Sequence, residues 1–191
     1  MKIDNNISAF ILCGGKSSRM QTEKGLVIFR DKPFIQHIID AVKPITSNIS
    51  LVTENTDYEQ FGFPLISDIY RDKGPVGGIF SALKNTSTSD NLILSCDIPL
   101  ITIAILSDLI SSHAQTEKSI TIASEVEKSH PLIGVYHESV APFFEKSILN
   151  DELKLMSLIT KIGYNALQIK NTEALQNIND QNQLKQLKPA L

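Results

Sequence analysis

Short apolar runs and longer segments of helical spacing alternate along the chain. The runs occupy residues 9–12, 49–52, 64–66, 91–94, 120–123 and 132–136. Their length suits strands that are buried on both faces. Between the runs, apolar residues recur three and four positions apart in residues 34–42, 76–83 and 101–110, as they do on one face of a helix. The pattern therefore predicts alternating strands and helices.

This alternation indicates an α/β fold in which right-handed crossovers build a mainly parallel sheet between two layers of helices. We therefore expect a three-layer, Rossmann-like domain. With 191 residues and no internal repeat or linker, residues 1–191 are expected to form a single domain. Ligands of such sheets bind at the edge where the strands end, so the chemistry is expected in the loops at that edge.

Composition and charge narrow the class of protein. The chain is 42% hydrophobic and 20% charged, which is typical of a packed globular protein. Lys and Arg total 18 against 21 Asp and Glu, a net charge of −3, so a broad basic surface for nucleic acid is not expected. The first residues lack the pattern of a signal peptide, and no apolar run approaches the roughly 18 residues of a membrane span. We therefore expect a cytoplasmic protein that binds neither nucleic acid nor membrane.

Cysteine and histidine give little indication of a metal site. Cys13 and Cys96 are the two cysteines and lack the CxxC spacing of metal and redox sites. Reduced, partly buried thiols are therefore expected. The four histidines show no paired spacing of the kind found in zinc sites, so a metal ion held by histidine is not expected.

The loop after the first predicted strand carries the clearest chemistry. Residues 13–25 read CGGKSSRMQTEKG, which combines glycines, hydroxyls and cations. Gly14 and Gly15 allow backbone N–H groups to approach phosphate oxygens, while Arg19 and Lys24 can neutralise the charge of a triphosphate. The alternative is a strand-to-helix turn with a solvated basic face, but the added Arg and Lys favour a phosphate-binding loop.

Two well-known phosphate-binding loops do not fit this segment. A Walker-type P-loop needs a further glycine five residues before Gly15, where this chain has Phe10. The G-x-G-x-x-G pattern of dinucleotide-binding folds does not follow the first strand. A P-loop ATPase and a hydride-transfer enzyme are therefore not expected.

An aspartate directly follows the fourth apolar run. Asp97, in the segment CDIP of residues 96–99, is expected at the carboxyl edge of a buried strand and within reach of the glycine-rich loop. Together with substrate phosphates and water, a carboxylate at this place can hold Mg²⁺. The alternative is that Asp97 caps a helix beginning after Pro99. Asp97 is the predicted metal ligand.

Two further segments at this edge can contact a ligand. Asp68 follows the run 64–66 and can hydrogen-bond a ribose or a base, or equally begin a turn. Residues 74–78 read GPVGG and precede an apolar helix, whose N-terminus favours anions. A plain helix start at Pro75 is the competing interpretation, and the sequence leaves both pairs of alternatives open.

Taken together, these motifs resemble the molybdenum cofactor guanylyltransferase family over most of the chain. The resemblance rests on LCGGKSSRM in residues 12–20, followed by Lys24 and Gly25, and on CDIP in residues 96–99. Lys32-Pro33, Gly74-Pro75 and Gly78 add to it. The order and spacing of the loop, the lysine and the strand end make it specific. Cys13 departs from the usual Ala, and QTE in residues 21–23 replaces the common Gly and Asp.

The resemblance implies a nucleotidyltransferase fold that binds GTP and Mg²⁺ at the loop. A terminal phosphate of the molybdopterin cofactor then attacks the α-phosphorus of GTP and releases pyrophosphate. Transient contact with molybdoenzyme maturation proteins is implied by the family alone. The implied substrates are therefore GTP and the molybdopterin cofactor.

The resemblance also implies roles for individual residues. Lys24 is assigned to the phosphates, Asp68 to the nucleoside and Asp97 to Mg²⁺. Arg19, with Gly15, is assigned to stabilise the transferring group, so Arg19, Lys24 and Asp97 are the expected catalytic residues. The guanine end is expected to contact Leu12, Cys13 and Gly14. The pterin side is expected to involve Gly78, Lys154, Asn177 and Asn179.

Three other functions remain open at this point. A cytidylyltransferase acting on the same pterin is similar, but typically has Ala-Gly in place of Gly14-Gly15. A sugar-1-phosphate nucleotidyltransferase has its lysine later and after a proline, unlike Glu23-Lys24. A regulator that binds nucleotide without turnover uses the same cations, so Asp97 distinguishes it from an enzyme. Asn55 is not assigned to the site and is expected in a turn.

Overall fold

A computed structural model describes residues 6–14 and 23–178, and within them a seven-stranded sheet is flanked by helices on both faces. The strands are β1 Ile7–Leu12, β4 Ile49–Val52, β5 Leu65–Ile66, β6 Asp90–Ser95, β7 Ile120–Ser124, β8 Ser129–His137 and β9 Asn165–Gln168. A separate small hairpin consists of β2 Ile28–Phe29 and β3 Lys32–Pro33. The helices are α1 Phe34–Val42, α2 Gly74–Lys84, α3 Ile103–Ala114, α4 Ala141–Leu149 and α5 Leu155–Ile162.

The sheet is mainly parallel, with one reversed strand. Its order is β5-β4-β1-β6-β8-β7-β9. Strand β1 pairs in parallel with β4 and β6, and β4 pairs in parallel with β5. Strand β8 is antiparallel to both β6 and β7, while β9 is parallel to β7. The carboxyl ends of β1, β4, β5, β6, β7 and β9 therefore meet at one edge.

Alternation along β1 divides the core into two apolar layers. Ala9 and Ile11 face the side covered by α1 and α3, whereas Phe10 and Leu12 face the side covered by α2, α4 and α5. All four side chains are buried, as expected for a central strand covered on both faces. The predicted three-layer α/β fold is thereby confirmed.

The reversed strand β8 was not predicted. Gly134 lies in β8 beside β7, and a Cβ atom there would lie 2.6 Å from the Thr121 carbonyl oxygen. Next to this contact, the pairing of β7 with β8 shifts between Ile122 and Ala123. An apolar run gives no direction for its strand, so the run 132–136 predicted the strand but not its antiparallel pairing.

Candidate active site

A cavity of about 890 Å³ opens at the carboxyl edge of the sheet, within the size range of small-molecule sites, roughly 300–1,000 Å³. Its floor comes from β1 and its far wall from the start of α2, because Leu12, Gly74 and Pro75 all line it. The described residues that line it are Leu12, Gly14, Glu23, Val52, Thr53, Glu54, Asn55, Asp68, Arg71, Asp72, Gly74, Pro75, Gly78, Ser95 and Leu132.

Four predicted site residues line this cavity: Leu12, Gly14, Asp68 and Gly78. The side chain of Cys13 is buried on the opposite face, among residues packed under α1 and α3, so the backbone of Cys13 is the part that can meet a ligand. Three predicted residues lie outside the described part of the chain: Gly15, Arg19 and Asn179.

Lys24 and Asp97 meet although 73 positions separate them in sequence. Lys24 Nζ lies 3.1 Å from Asp97 Oδ2, and the side chains are 25% and 6% exposed. The other carboxylate oxygen, Oδ1, accepts a hydrogen bond of 2.6 Å from the Ser95 hydroxyl. The pair adjoins the cavity, since Glu23 and Ser95 line it. A cation and a carboxylate are thus held together where a phosphate chain can reach both.

Asp97 is not a helix cap. Helix α3 begins at Ile103, and its first turn is capped by Thr102, whose hydroxyl accepts from Ile105 N. The segment after Asp97 instead leads into a turn in which Ile101 N donates to Ile98 O. The structure therefore excludes the alternative that Asp97 caps this helix. The Asp97 carboxylate instead contacts Lys24 and Ser95.

Asp97 can serve as a ligand for a hard cation. Within residues 6–14 and 23–178, no group of three or more His, Cys, Asp or Glu side chains is arranged to hold a metal ion. Substrate oxygens and water commonly supply the other ligands of Mg²⁺ held by a carboxylate of this kind. Asp68 follows β5, which β4 and β1 separate from β6 in the sheet, so the two carboxylates enter the site from different strands.

Asp68 has an oxygen that no described residue satisfies. Its Oδ1 is buried and has no hydrogen-bond partner in the described part of the chain. Burial is the main cause that raises the pKa of Asp68, the negative charge of Glu54 raises it further, and the nearby Ser81 hydroxyl opposes the rise. A buried acceptor without a donor costs stability. Its position on the cavity wall makes Asp68 a strong candidate for a ligand contact.

Replacing Asp68 by asparagine is expected to stabilise the protein in a pH-dependent manner. A raised folded-state pKa means that the folded protein holds this proton more tightly than the unfolded chain does. The resulting stability is present below the ordinary pKa of 3.8 and is lost as the pH rises through the raised value. Asp68→Asn cannot ionise, so its melting temperature should match wild type near pH 4 and exceed it increasingly toward about pH 7.

The measurement is thermal unfolding of both proteins between about pH 4 and pH 7.5. Asp108→Asn is the matched control, because Asp108 is an exposed carboxylate on α3. A difference between wild type and Asp68→Asn that shrinks as the pH rises would contradict the burial of a charge at Asp68.

The described lining of the cavity is acidic at its β4–β5 side. Glu54, Asp68 and Asp72 lie there with one cation, Arg71. Arg71 Nε donates to Glu54 Oε1 at 3.0 Å, and both side chains are exposed, so the pair adds little stability. This side is rich in hydrogen-bond acceptors and therefore suits a ligand group that donates.

Asn55 belongs to the cavity wall, which the sequence did not reveal. It caps the 3-10 turn Thr56–Phe61 by accepting from Asp57 N at 2.9 Å, and it also lines the cavity. The turn expected for Asn55 is present. The available signal was its position three residues after the predicted strand 49–52, at the carboxyl edge where ligands bind.

The other residues predicted on the pterin side lie in different places. Gly78 is in the wall of the large cavity. Lys154, just before α5, lines a second cavity of about 250 Å³ between α4 and α5. Asn177 is half-buried and precedes Ile178, whose N–H donates to the Asp97 carbonyl at 2.9 Å. Gly78 and Asn177 are therefore close to the candidate site, whereas Lys154 lines another cavity.

Comparison with known proteins gives a matching family profile and similar curated proteins. The profile of the MobA-like NTP transferase domain matches residues 9–165. A protein of Flavobacterium johnsoniae named probable molybdenum cofactor guanylyltransferase is 49% identical over 183 residues, covering 95% of this chain and 96% of that protein. The molybdenum cofactor guanylyltransferase of Haemophilus influenzae strain 86-028NP is 31% identical over 186 residues, with coverage of 95% and 96%.

Solved structures share the fold. The crystal structure of molybdopterin-guanine dinucleotide biosynthesis protein A from Archaeoglobus fulgidus has a TM-score of 0.81 at 20% identity, covering 94% of this chain and 95% of that one. CMP:2-keto-3-deoxy-manno-octonic acid synthetase, solved with CTP, has a TM-score of 0.74 at 13% identity, with coverage of 96% and 97%. Separately, no helix in the described part of the chain is long and apolar enough to cross a membrane.

Proposed function

The chain belongs to the family of MobA-like NTP transferase domains, and we propose that it transfers GMP from GTP to the molybdopterin cofactor, forming the guanine dinucleotide and pyrophosphate. The observation that carries the proposal is the meeting of Lys24 and Asp97 at 3.1 Å beside a cavity of about 890 Å³. The names and identities of the curated relatives support the same reaction.

In the proposed reaction, a phosphate oxygen of the acceptor forms a bond to the α-phosphorus of GTP. The bond from the α-phosphorus to the bridging oxygen of the β-phosphate breaks, and pyrophosphate leaves. Lys24 contributes a positive charge that offsets the negative charge developing on the phosphates. Gly14 lies on the cavity wall, where a residue without a side chain lets the phosphate chain approach the backbone. Arg19 and Gly15 are proposed to assist at the transferring group.

Asp97 is the proposed ligand of Mg²⁺. Its carboxylate is a hard oxygen donor, and it lies at the strand end where the cavity begins, which fits the ligand preference of this ion. When bound, the ion supplies Lewis-acid charge at the phosphates. Lys24 Nζ lies 3.1 Å from Asp97 Oδ2 in this structure. If Asp97 held the ion through this oxygen, Lys24 would have to leave it, and its ammonium would then be available to the phosphates.

The acidic side of the cavity supports guanine as the base. Asp68 Oδ1 is a buried acceptor without a described partner, and Glu54 and Asp72 provide further carboxylates nearby. Guanine carries N–H donors at N1 and at its 2-amino group, and hydrogen bonds from such donors to carboxylates are charge-assisted. Cytosine and adenine offer a ring nitrogen acceptor where guanine offers N1–H. Leu12 and Cys13 are proposed to complete the guanine end through the floor of the cavity.

The acceptor is proposed to bind beside the phosphates. Gly78 and Asn177 flank the site described above, and Asn179 is proposed to add to the pterin contacts. Lys154 lines the separate cavity between α4 and α5, so its proposed contact would be with an end of the acceptor distant from the phosphates. We also propose that residues 1–191 form one domain, that the protein works in the cytoplasm, and that maturation proteins of molybdoenzymes contact it transiently. A cytidylyltransferase and a sugar-1-phosphate nucleotidyltransferase are not favoured by the names of the curated relatives.

The nucleobase preference tests this proposal most directly. Binding of GTP, CTP and ATP to the purified protein with Mg²⁺ should be measured by calorimetry. We expect GTP to bind at least about tenfold more tightly than the others, since one unmatched buried polar group costs roughly 1–3 kcal/mol. ITP, which lacks the 2-amino donor, is the matched control ligand and should bind less tightly than GTP. A preference for CTP would favour the cytidylyltransferase, and no binding of any nucleotide would contradict the proposal.

A further inference from the structure

The turn that carries Lys24 rests on a buried tyrosine. Tyr58 lies in the 3-10 turn Thr56–Phe61 and is fully buried. A Cβ atom added at Gly25 would lie 2.6 Å from the Tyr58 hydroxyl oxygen, 3.0 Å from Cε1 and 3.2 Å from Cζ. Cβ atoms essentially never approach another atom within 3.0 Å. The backbone at Gly25 therefore lies against the ring edge at a separation that a larger residue cannot adopt.

The close approach of Gly25 to the Tyr58 ring does not come from a well-formed hydrogen bond of the Tyr58 hydroxyl. It is buried and has no partner of ordinary hydrogen-bond geometry among the described residues. Burial raises the pKa of Tyr58 above its usual range, Cys96, Cys13 and Glu23 add to the rise, and the Gly25 N–H opposes it. Tyr58 belongs to the same buried apolar cluster as Cys13, after β1, and Cys96, directly before Asp97. The Gly25 N–H is therefore near this hydroxyl without forming a hydrogen bond of ordinary geometry, and the short separation at Gly25 is the feature that constrains the turn.

A displacement at Gly25 reaches Lys24 directly. The two residues are consecutive in the 3-10 turn Lys24–Leu26, which is closed by Val27 N donating to Lys24 O at 3.2 Å. The Lys24–Asp97 contact of 3.1 Å ceases to be an ion pair beyond about 4 Å. A shift of the turn by roughly 1 Å therefore forces the flexible Lys24 side chain to change its conformation to stay within that limit.

We propose that Tyr58 is a positioning residue. Through its contact with Gly25, it keeps the turn Lys24–Leu26 in the position from which Lys24 reaches Asp97. The consequence for nucleotide binding rests on the proposed function, whereas the consequence for the Lys24–Asp97 pair does not. The turn Thr56–Phe61, which contains Tyr58, adjoins the cavity, because Tyr58 N donates to Asn55 O at 3.3 Å and Asn55 lines the cavity wall. Tyr58 therefore joins the wall on the β4 side to the cation on the β1 side.

Competitive acetylation with acetic anhydride, read by mass spectrometry, reports the position of Lys24 without any substrate. Lys84, an exposed lysine at the end of α2, is the internal reference. In wild type, the paired and mostly buried Lys24 should react slowly. In Gly25→Ala, the overlap with Tyr58 should displace the turn and raise labelling of Lys24 several-fold. In Gly25→Ala/Tyr58→Phe, loss of the hydroxyl removes the 2.6 Å overlap, so most of the increase should disappear.

Two more variants make the test decisive. Tyr58→Leu removes the ring edge without adding an atom at Gly25, and it should also raise Lys24 labelling. Gly134→Ala is the matched control, since its Cβ would meet Thr121 O at the same 2.6 Å but in β8, and it should leave Lys24 labelling unchanged. Wild-type labelling of Lys24 in both Gly25→Ala and Tyr58→Leu would overturn the proposal, as would a double variant no better than Gly25→Ala.

The proposed function is tested separately by GTP affinity in the same variants. If the enzyme binds GTP, Gly25→Ala should weaken that binding and the double variant should restore most of it. If labelling follows the expected order while wild type binds no nucleotide, the role of Tyr58 stands and the proposed function fails.

Discussion

Asp97→Asn is expected to lower the rate of GMP transfer by on the order of 10³-fold, the largest effect of any single substitution considered. The change removes the negative charge proposed to hold Mg²⁺ while keeping the size of the side chain. The amide oxygen can still accept from Ser95, but the amide nitrogen has no attraction for Lys24, which now contacts Oδ2. Single-turnover transfer from radiolabelled GTP measures the effect.

The fold should survive this substitution. Asp97 also accepts from Ile178 N, but through its carbonyl oxygen, which the substitution leaves in place. Far-UV circular dichroism and the melting temperature should therefore stay close to wild type. Asp108→Asn, at an exposed position of α3, is the control and should transfer at the wild-type rate. Turnover near wild type in Asp97→Asn would rule out its role as metal ligand.

Lys24→Met is expected to weaken binding of GTP with Mg²⁺ by about 10- to 100-fold, because a charge-assisted contact is worth roughly 1.5–3 kcal/mol. Methionine keeps most of the length of the side chain and loses the charge. The same change frees Oδ2 of Asp97 from the ammonium. The affinity for Mg²⁺ in the absence of nucleotide should consequently rise, in the direction opposite to the affinity for GTP.

Two calorimetric titrations test this prediction, one with GTP at saturating Mg²⁺ and one with Mg²⁺ alone. Lys84→Met removes an exposed charge at the end of α2, so it controls for the change in net charge. Unchanged GTP affinity in Lys24→Met would show that Lys24 does not contact the phosphates.

The spacing of apolar residues predicted an element correctly where one requirement, the burial of apolar side chains against the sheet, decides its structure. Residues 34–42 were predicted as a helix, and α1 spans Phe34–Val42 with Phe34, Ile35, Ile38, Ile39 and Val42 buried, because a single face of it packs on the sheet. The runs for β1, β4 and β6 also predicted strands. By contrast, α4, α5 and β9 were not predicted, and they lie after the last run that the alternation explained. Direction and register depend on partners elsewhere in the chain.

The site also contains some features that the sequence could predict and others that it could not. Lys24 and Asp97 could be expected together, because the loop after β1 and the end of β6 meet at one edge of a parallel sheet. The burial of Asp68 Oδ1 without a partner and the contact of Tyr58 with Gly25 could not be predicted. Both depend on how segments distant in sequence pack, and neither side chain belongs to a recognisable motif. Asn55 is an intermediate case. The sequence showed that it follows a predicted strand, but not that it lines the cavity.

The central position of β1 has a consequence for synthesis on the ribosome. Ala9 pairs with Ile49 and Ile7 pairs with Asp90, separations of 40 and 83 residues. Until β6 has emerged, one edge of the apolar strand β1 carries N–H and C=O groups without partners, a template for pairing with other chains. The nascent chain therefore cannot close its core before Ser95 is available. A ribosome that stalls earlier releases an aggregation-prone fragment rather than a smaller folded protein.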